Sequence, residues 1–593
     1  MRTCNRKKVS ALKVCFSASK MITIAYILLF TIQGVLPSIL AILEANFIND
    51  ILSQVFYSES LNIVIINGGI ILILIAVKWE IGSIQQLLSN LLLSRVKMEI
   101  NEEIYNKKAR LQYECFENKD ICNLIYLASN EPEKRIINCL KNKMMLVTDI
   151  IIVCSFIIIL YPILSFKIWM LLLLMLPLLK LSVKSGQKSY QISKDMMLEK
   201  RKSSYLFEIL NNNNYMEERN TFHYSKYINK EQYHLNDIIK RNELKVKAKW
   251  FVRLKSSAVL IAVLTGILII DMFYRVVSKK ISIGLFISMF NTLHSLIGKM
   301  SWQITELTDE IAKDNEFIKD YNHFSALPEQ SIEKRVVPFN KNSFETIAFE
   351  NVSFRYPNSK EYVLNNFSFI FEKGIRYSLI GVNGSGKSTL IKLLLGLYED
   401  YTGVIKMNGI DIKTIRNDDL HDIFSVVFQD FPQFQLSIEE ILSLVNAKED
   451  AVNEIFEKFG FQEILEKLPE STKTKIGKIY SSNIELSYGQ WQKLNIIKSL
   501  IKKASVYILD EPTASLDPIS ELNIYQQYLE MKKKETVILI SHRLGITKNA
   551  DIILLLDNGT LKAVGDHKSL YRDSEIYKEM FDMQKEWYVN ENN

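Results

Sequence analysis

The chain has 593 residues, a formal net charge of +7, 48% hydrophobic and 23% charged residues. That length exceeds what one hydrophobic core organises, so a single-domain protein is excluded and at least two domains are expected. The averages hide an uneven layout, with long apolar runs in the first half and charges in the second.

The positive balance is not read as a nucleic-acid footprint. Lys and Arg gather beside the apolar runs, where they face anionic lipid, so the expected partner is a bilayer and not nucleic acid. The six cysteines, Cys4, Cys15, Cys115, Cys122, Cys139 and Cys154, show no CxxC spacing. Five fall in stretches assigned to the cytosol and one in a membrane helix, which points to reduced thiols instead of disulfides or zinc. Abundant Asn, Ile and Lys fit an AT-rich bacterial genome, hence a bacterial cytoplasmic membrane.

The start is basic (Arg2, Arg6, Lys7, Lys8, Lys13, Lys20). The apolar stretch beginning near Met21 is too long for a signal core and lacks a small-residue cleavage site, so it reads as the first span. Spanning takes roughly 20 mainly apolar residues. Six stretches qualify: 21–43, 61–78, 145–164, 167–184, 254–273 and 281–299. The third and fourth are separated only by Pro162 to Lys167, which suits a tight hairpin. Residues 79–143 and 186–249 are charged and helix-compatible, and read as spans continuing into the cytosol as rods before turning back. About 20 extra residues at 1.5 Å each add roughly 30 Å of reach. The basic N-terminus, and the lack of Lys or Arg between Asp50 and Glu59, place both termini in the cytosol. Arg275, Lys279 and Lys280 would then lie outside, against the rule. Gln33, Asn291 and His294 fall within spans; each alone is better read as packing between helices than as a cargo contact.

Residues 1–324 therefore read as an α-helical six-span transmembrane domain, 325–345 (with Pro328 and Pro338) as a linker, and 346–593 as an α/β nucleotide-binding domain with a small antiparallel β lobe. Asn408–Gly409 and Asn558–Gly559 read as hairpin turns.

IRYSLI is a buried-strand run, GVNGSGKST follows, and KSTLIKLLLGLY is a helix; strand, glycine loop, helix is the context a phosphate-binding loop requires. Gly381, Gly384 and Gly386 let backbone N–H groups point at phosphate oxygens, backed by the helix N-terminus. Asn383 and Ser385 belong to the same loop. Lys387 places a cation on the β- and γ-phosphates, Ser388 offers a hydroxyl to Mg2+, and Thr389 a hydroxyl to the α-phosphate. VYILDE is a second buried strand ending in acids. Asp510 can hold Mg2+ through water, and Glu511 can polarise the attacking water as general base. A lone Asp-Glu pair after a strand is usually a solvated loop; beside a phosphate loop the functional reading prevails.

With these motifs in this order, residues 346–593 resemble the nucleotide-binding domain of the ABC transporter superfamily, and the preceding spans resemble its exporter-type membrane domain. The resemblance implies the following roles. Tyr356 in FRYP stacks on adenine. Gln429 in VFQD senses Mg2+ and contacts the membrane domain. Leu486–Gln490 (LSYGQ) is the signature motif, whose Ser487, Gly489 and Gln490 address a partner's γ-phosphate. Asp517 in ASLD communicates between partners, and His542 in LISHR bonds the γ-phosphate. Tyr488 departs from the family's usual glycine, which bears on turnover more than on binding, and Lys498 stands where Arg is frequent. One loop and one signature per chain imply a second half-transporter. Glu511 and His542 together imply a homodimer with two active sites using ATP and Mg2+, although a heterodimer stays open. Short helices near 116–130 and 210–220 are expected to pass nucleotide-driven motion to the spans.

VFQDF, LSYGQWQKL and YILDEPTASLDP are similar to exporters of lantibiotics and related modified peptides, with Trp491 and Gln492 the most suggestive detail. A span beginning near residue 21 leaves no room for an N-terminal peptidase. The runner-up cargo is a lipid or amphipathic drug. An ATP-gated membrane regulator with little turnover is a third reading. A soluble ABC ATPase acting on nucleic acid is opposed by the spans.

Overall fold

A computed structural model describes residues 9–57, 61–330, 337–357, 359–445, 449–478, 480, 484–511, 518–532, 534–541 and 547–589. The chain divides into two compact units, Met1–Leu111 with Lys119–Leu327, and Gln112–Asn118 with Pro328–Asn593.

The first unit is helical. It runs α1 (Ala11–Ala18), α2 (Lys20–Tyr57), α3 (Leu61–Arg110), α4 (Lys119–Ser129), α5 (Pro132–Leu164), α6 (Trp169–Asp195), α7 (Met197–Asn211), α8 (Met216–Phe222), α9 (Ser225–Val277), α10 (Ile283–Gly298) and α11 (Ile304–Ser325). The core joins α5, α6, α9 and α10 through Phe156, Leu160, Leu171, Leu268 and Leu293. The apolar window of α3 has no buried residue; Ile65, Ile66, Leu72 and Ile73 point outward. A helix that is apolar on its outer face needs an apolar medium.

Among the described residues four stretches can cross a membrane by length and composition, Lys20–Val55, Leu61–Arg110, Pro132–Asp195 and Ser225–Val277, where the sequence led us to expect six. The third holds two expected spans. Pro162 lies in the last turn of α5, Ser165 turns left-handed at φ 54°, and a 3₁₀ turn Ser165–Ile168 leads into α6. The expected span 281–299 is the 16-residue helix α10, shorter than the others, continued by a π-turn Lys299–Gln303 into α11. The basic residue Arg275, which ran against the charge rule, pairs with Asp271 at 3.2 Å, and Lys167 meets the same carboxylate at 2.9 Å. Part of that loop's charge is thus neutralised locally. Cys15, Cys115, Cys122, Cys139 and Cys154 are free thiols.

The second unit is built on two sheets. The small one is antiparallel, in the order β2 (Leu364–Glu372), β1 (Thr346–Phe354), β4 (Thr402–Met407), β5 (Ile410–Asp411). The large one runs β10 (Thr560–Gly565), β9 (Ile552–Asp557), β3 (Arg376–Ile380), β8 (Thr536–Ile540), β7 (Val506–Asp510), β6 (Phe424–Val427), parallel except for β10. Every residue of β7 and β8 is buried, the pattern of a sheet covered on both faces. Both Asn-Gly pairs turn hairpins, Asn408 at φ 49° before Gly409 at 81° and Asn558 at 47° before Gly559 at 73°. Two positive φ values in succession are what such turns demand. One core gathers the antiparallel lobe and helix α12 (Lys387–Leu394) through Leu390 and Leu394. A second gathers α14 (Ile438–Ser443), α15 (Glu449–Lys458), α16 (Gln462–Glu466), α17 (Tyr488–Ile501) and α18 (Pro518–Met531). Helix α13 (Asn417–Ile423) leads into β6.

Candidate functional site

Parallel strands deliver their C-terminal ends to one edge of a sheet, where ligands of open α/β folds bind. Register fixes that edge here. Leu379 of β3 and Asp510 of β7 both lie opposite Ile540, the last residue of β8. The loop Gly381–Gly386 leaves β3 at this edge, Asp510 and Glu511 end β7, and Gln429 follows β6 by two residues.

The loop geometry depends on glycine at two positions. Gly381 has φ +149°, and a Cβ there would lie 2.1 Å from the Leu556 carbonyl oxygen. Gly386, at φ +99°, caps α12, and a Cβ would meet the Val363 carbonyl at 2.8 Å. The chain is thereby bent so that the first turn of α12 opens at the loop, leaving N–H groups without helical partners. Gly384 has open space beside it. Val382, Asn383, Gly384 and Ser388 are exposed, whereas Ser385 is buried with its Oγ lacking a hydrogen-bond partner among the described residues.

Lys387 is 6% exposed, and its Nζ donates to the carbonyls of Gly381 at 2.8 Å and Val382 at 3.1 Å. Burial pushes this ammonium below its ordinary pKa, opposed by Glu511 and Asp510. Glu511 moves the other way: burial raises its carboxyl and Lys387 partly offsets it. Burial acts against the charged form of both groups, and each charge partly offsets the other's shift. Glu511 also sits at φ 46°, a left-handed geometry that costs a non-glycine residue about 1–3 kcal/mol. Gln429 donates from Nε2 to Glu511 Oε2 at 3.2 Å.

Tyr356 shares a hydrogen bond with Thr389 at 2.9 Å. Its ring meets Phe354 and Tyr398 edge-on at 5.2 and 5.6 Å, and Lys392 Nζ lies 5.6 Å from its centroid. It is half-buried.

Ser487 is the N-cap of α17. Its Oγ accepts from Gln490 N at 3.3 Å, and Gln490 Oε1 accepts from Ser487 N at 2.8 Å, a complete capping box. Tyr488 is therefore an ordinary first-turn helical residue, so the backbone at that position does not require glycine. Its ring, 45% exposed, leans on Phe431 at 5.2 Å. Leu486, Trp491 and Leu494 anchor this helix in the second core, whereas the phosphate loop's helix belongs to the first. Trp491 is a core residue, and Gln492 is 1% exposed. Asp517 and His542 lie outside the described residues.

The structure adds a segment that sequence reading put elsewhere. The nearer expected contact helix, 116–130, is split. Gln112–Asn118 clusters with the second unit, and Lys119–Ser129 with the first. Tyr113 packs edge-on against Tyr398 at 5.4 Å, and the Tyr398 hydroxyl donates to Glu117 at 2.5 Å. The signal was an aromatic and an acid flanking a break in a long helical run. The other expected helix, 210–220, is the short α8, which has no buried residue.

Among the described residues no group of three or more His, Cys, Asp or Glu could hold a metal ion by itself. Ser388, Gln429 and Asp510 offer one hydroxyl, one amide oxygen and one carboxylate. That hard-oxygen set is incomplete alone and suits an ion that arrives with phosphate and water ligands, as Mg2+ does.

Residues 364–514 match the family model described as ABC transporter. The chain is 26% identical over 581 residues to the subtilin transport ATP-binding protein SpaT of Bacillus subtilis, covering 96% of this chain and 92% of that one. An ATP-dependent lipid A-core flippase of Haemophilus influenzae is 37% identical, over 241 residues, which is 40% of each chain. A bacterial Atm1-family ABC exporter with ATP bound superposes with a TM-score of 0.78, covering 95% of this chain and 98% of that one at 18% identity.

Proposed function

We propose that this chain, an ABC exporter by its ATP-binding domain and its fold, moves a lantibiotic-like or other modified peptide across the bacterial cytoplasmic membrane. The observation that carries the peptide reading is the full-length likeness to a subtilin transport protein, spanning the helical unit as well as the nucleotide domain. The flippase likeness is higher in identity but covers only 40% of each chain. The chain couples ATP hydrolysis to this transport.

Six crossings with both termini cytosolic are part of the proposal, supported by the 3₁₀ break between α5 and α6 and by the near-complete coverage of an exporter fold. So is a homodimer with two sites. Phosphate loop and signature helix sit on different cores of one unit, which suits a site closed by the Ser487 helix start of a second copy.

In the mechanism, the loop's N–H groups and Lys387 take the phosphates, Lys387 exchanging two carbonyl acceptors for charged oxygens. Tyr356 receives the adenine ring, and Thr389 turns from it to the α-phosphate. Ser388, Gln429 and Asp510 would hold Mg2+, which when bound neutralises charge on the β- and γ-phosphates. Glu511, aimed by Gln429, accepts a proton from water attacking the γ-phosphate; the products are ADP and phosphate. His542 and Asp517 are assigned to the γ-phosphate and to the contact between copies. ATP acts as a ligand preferring the closed dimer, and closure moves the helices through Gln112–Asn118.

The test is uptake of a lanthionine-bearing precursor peptide into inside-out vesicles, comparing the intact chain with Glu511→Gln. ATP-dependent uptake by the first and none by the second is expected. Movement of labelled lipid without any peptide uptake would replace this reading with the flippase one.

A further inference from the structure

The helical unit contains a cavity of about 740 Å³ among α2, α3, α5, α10 and the π-turn that follows. Its size is that of a ligand site, but its wall is unlike a lipid or drug pocket. Gln33, Gln85, Gln86, Asn90, Asn138 and Gln303 all line it. An acyl chain would leave these amides without partners.

Gln85 and Asp149 also belong to the wall, but Gln85 Nε2 and Asp149 Oδ2, which lack a hydrogen-bond partner among the described residues, are closed off from the cavity. Gln86, Asn90 and Asn138 are exposed. Each of these amides carries both a donor and an acceptor, and a polypeptide backbone answers both in every amide.

The charge is also one-sided. Lys299 is engaged by Asp149, Nζ to Oδ1 2.6 Å, and the π-turn brings Gln303 within 3.4 Å of the same ammonium. Lys134 pairs with Glu131. Lys78 and Lys141 also line the cavity, and neither has an ion pair or hydrogen bond among the described residues. Two ammonium groups are left for a ligand.

We propose that this cavity binds an acidic stretch of polypeptide, with backbone amides on Gln86, Asn90 and Asn138 and carboxylates on Lys78 and Lys141. The inference rests on the peptide reading above and narrows it to the charge of the segment that is held. Lysines near a membrane surface also attract anionic headgroups, so the competing ligand is an anionic phospholipid.

The experiment uses the full chain in nanodiscs of zwitterionic lipid and three fluorescent peptides of one length. They differ only in carrying Glu, Gln or Lys at alternate positions. Anisotropy without nucleotide should show the Glu peptide binding at least about tenfold tighter than the Gln peptide, and the Lys peptide weakest. The double variant Lys78→Glu/Lys141→Glu should invert that order, a gain that an unfolded protein cannot produce. Equal binding of the Glu and Gln peptides overturns the proposal but leaves the peptide reading intact, as does an order that persists in the double variant. If no peptide binds while labelled phosphatidylglycerol is flipped on ATP addition, the proposal and the peptide reading both fall.

Discussion

Gln429 and Glu511 are joined by a 3.2 Å hydrogen bond from the amide Nε2 to the carboxylate Oε2, although 82 residues separate them in the chain. The bond ties the second residue after β6 to the residue after β7, two adjacent parallel strands. A carboxylate held this way has a fixed direction before substrate arrives, which suits the general-base role proposed for Glu511.

Glu511→Gln should lower steady-state ATP hydrolysis by at least about 100-fold, the usual worth of a positioned base, while ATP still binds. Phosphate release and nucleotide binding measured on the same nanodisc sample check this. Hydrolysis retained to within about tenfold would remove Glu511 from the role.

The same residue sets a pH dependence. Burial raises the Glu511 carboxyl above its ordinary value, with Lys387 opposing. With Glu511 as the proposed base, hydrolysis needs its ionised form, so the acid limb of the rate profile should lie above the usual carboxylate range. The stability sign is opposite. The charged form is disfavoured in the folded state, so Glu511 destabilises above its folded pKa, and that penalty disappears as pH falls through it. Glu511→Gln should therefore melt higher than the intact chain near neutral pH and converge with it in acid. Scanning fluorimetry from about pH 4 to 8 reads the difference; parallel curves at all pH values would count against a raised pKa.

Tyr398 is 1% exposed and touches both Tyr356, proposed above to receive adenine, and Tyr113, in the segment between α3 and α4. Its hydroxyl donates to Glu117. Burial and the Glu117 carboxylate both hold the phenol above its ordinary pKa, so it stays a donor at any physiological pH. Tyr398→Phe keeps the ring contacts and removes the bond, worth about 1.5–3 kcal/mol for a charged acceptor. Transport per ATP hydrolysed should fall several-fold with ATP affinity unchanged. An unaltered transport ratio would mean that Glu117 does not carry the motion.

What could be read from the sequence follows from how local each signal is. The phosphate loop, the acids ending VYILDE and both Asn-Gly hairpins are set by a few neighbouring residues, and the structure forms each of them where the pattern lies. The spans are less local. Hydropathy marks 145–164 and 167–184 as two runs, and the structure interrupts the helix between them with a 3₁₀ turn that starts at Ser165, φ 54°. The stretch 281–299 looks like a full span, yet the regular helix stops at Gly298, where a π-turn begins. The Gln429–Glu511 bond and the docking of Gln112–Asn118 on the second unit join residues far apart in sequence, so no spacing reveals them. Ser487 and Gln490 carry a capping-box pattern that is legible beside their family role, and both uses need the same two side chains.

Tyr488 tests whether that helix start is tuned for slow turnover. The family's glycine is not demanded by the backbone here, since Tyr488 has helical geometry behind the Ser487 cap. What tyrosine adds is a ring, 45% exposed and 5.2 Å from Phe431. Tyr488→Gly loses that pair, worth about 0.5–1.5 kcal/mol, and places glycine in a helix at a cost of about 0.5–1 kcal/mol. The melting temperature should drop by a few degrees. The ring stands at the helix start proposed above to address a second copy's γ-phosphate, so its removal should raise the rate of hydrolysis at saturating ATP and leave ATP affinity alone. Tyr488→Ala separates the two effects, because it removes the ring with less cost to the helix. If both variants hydrolyse ATP no faster than the intact chain, the ring does not limit closure, and the departure from glycine is a packing choice shared with Phe431.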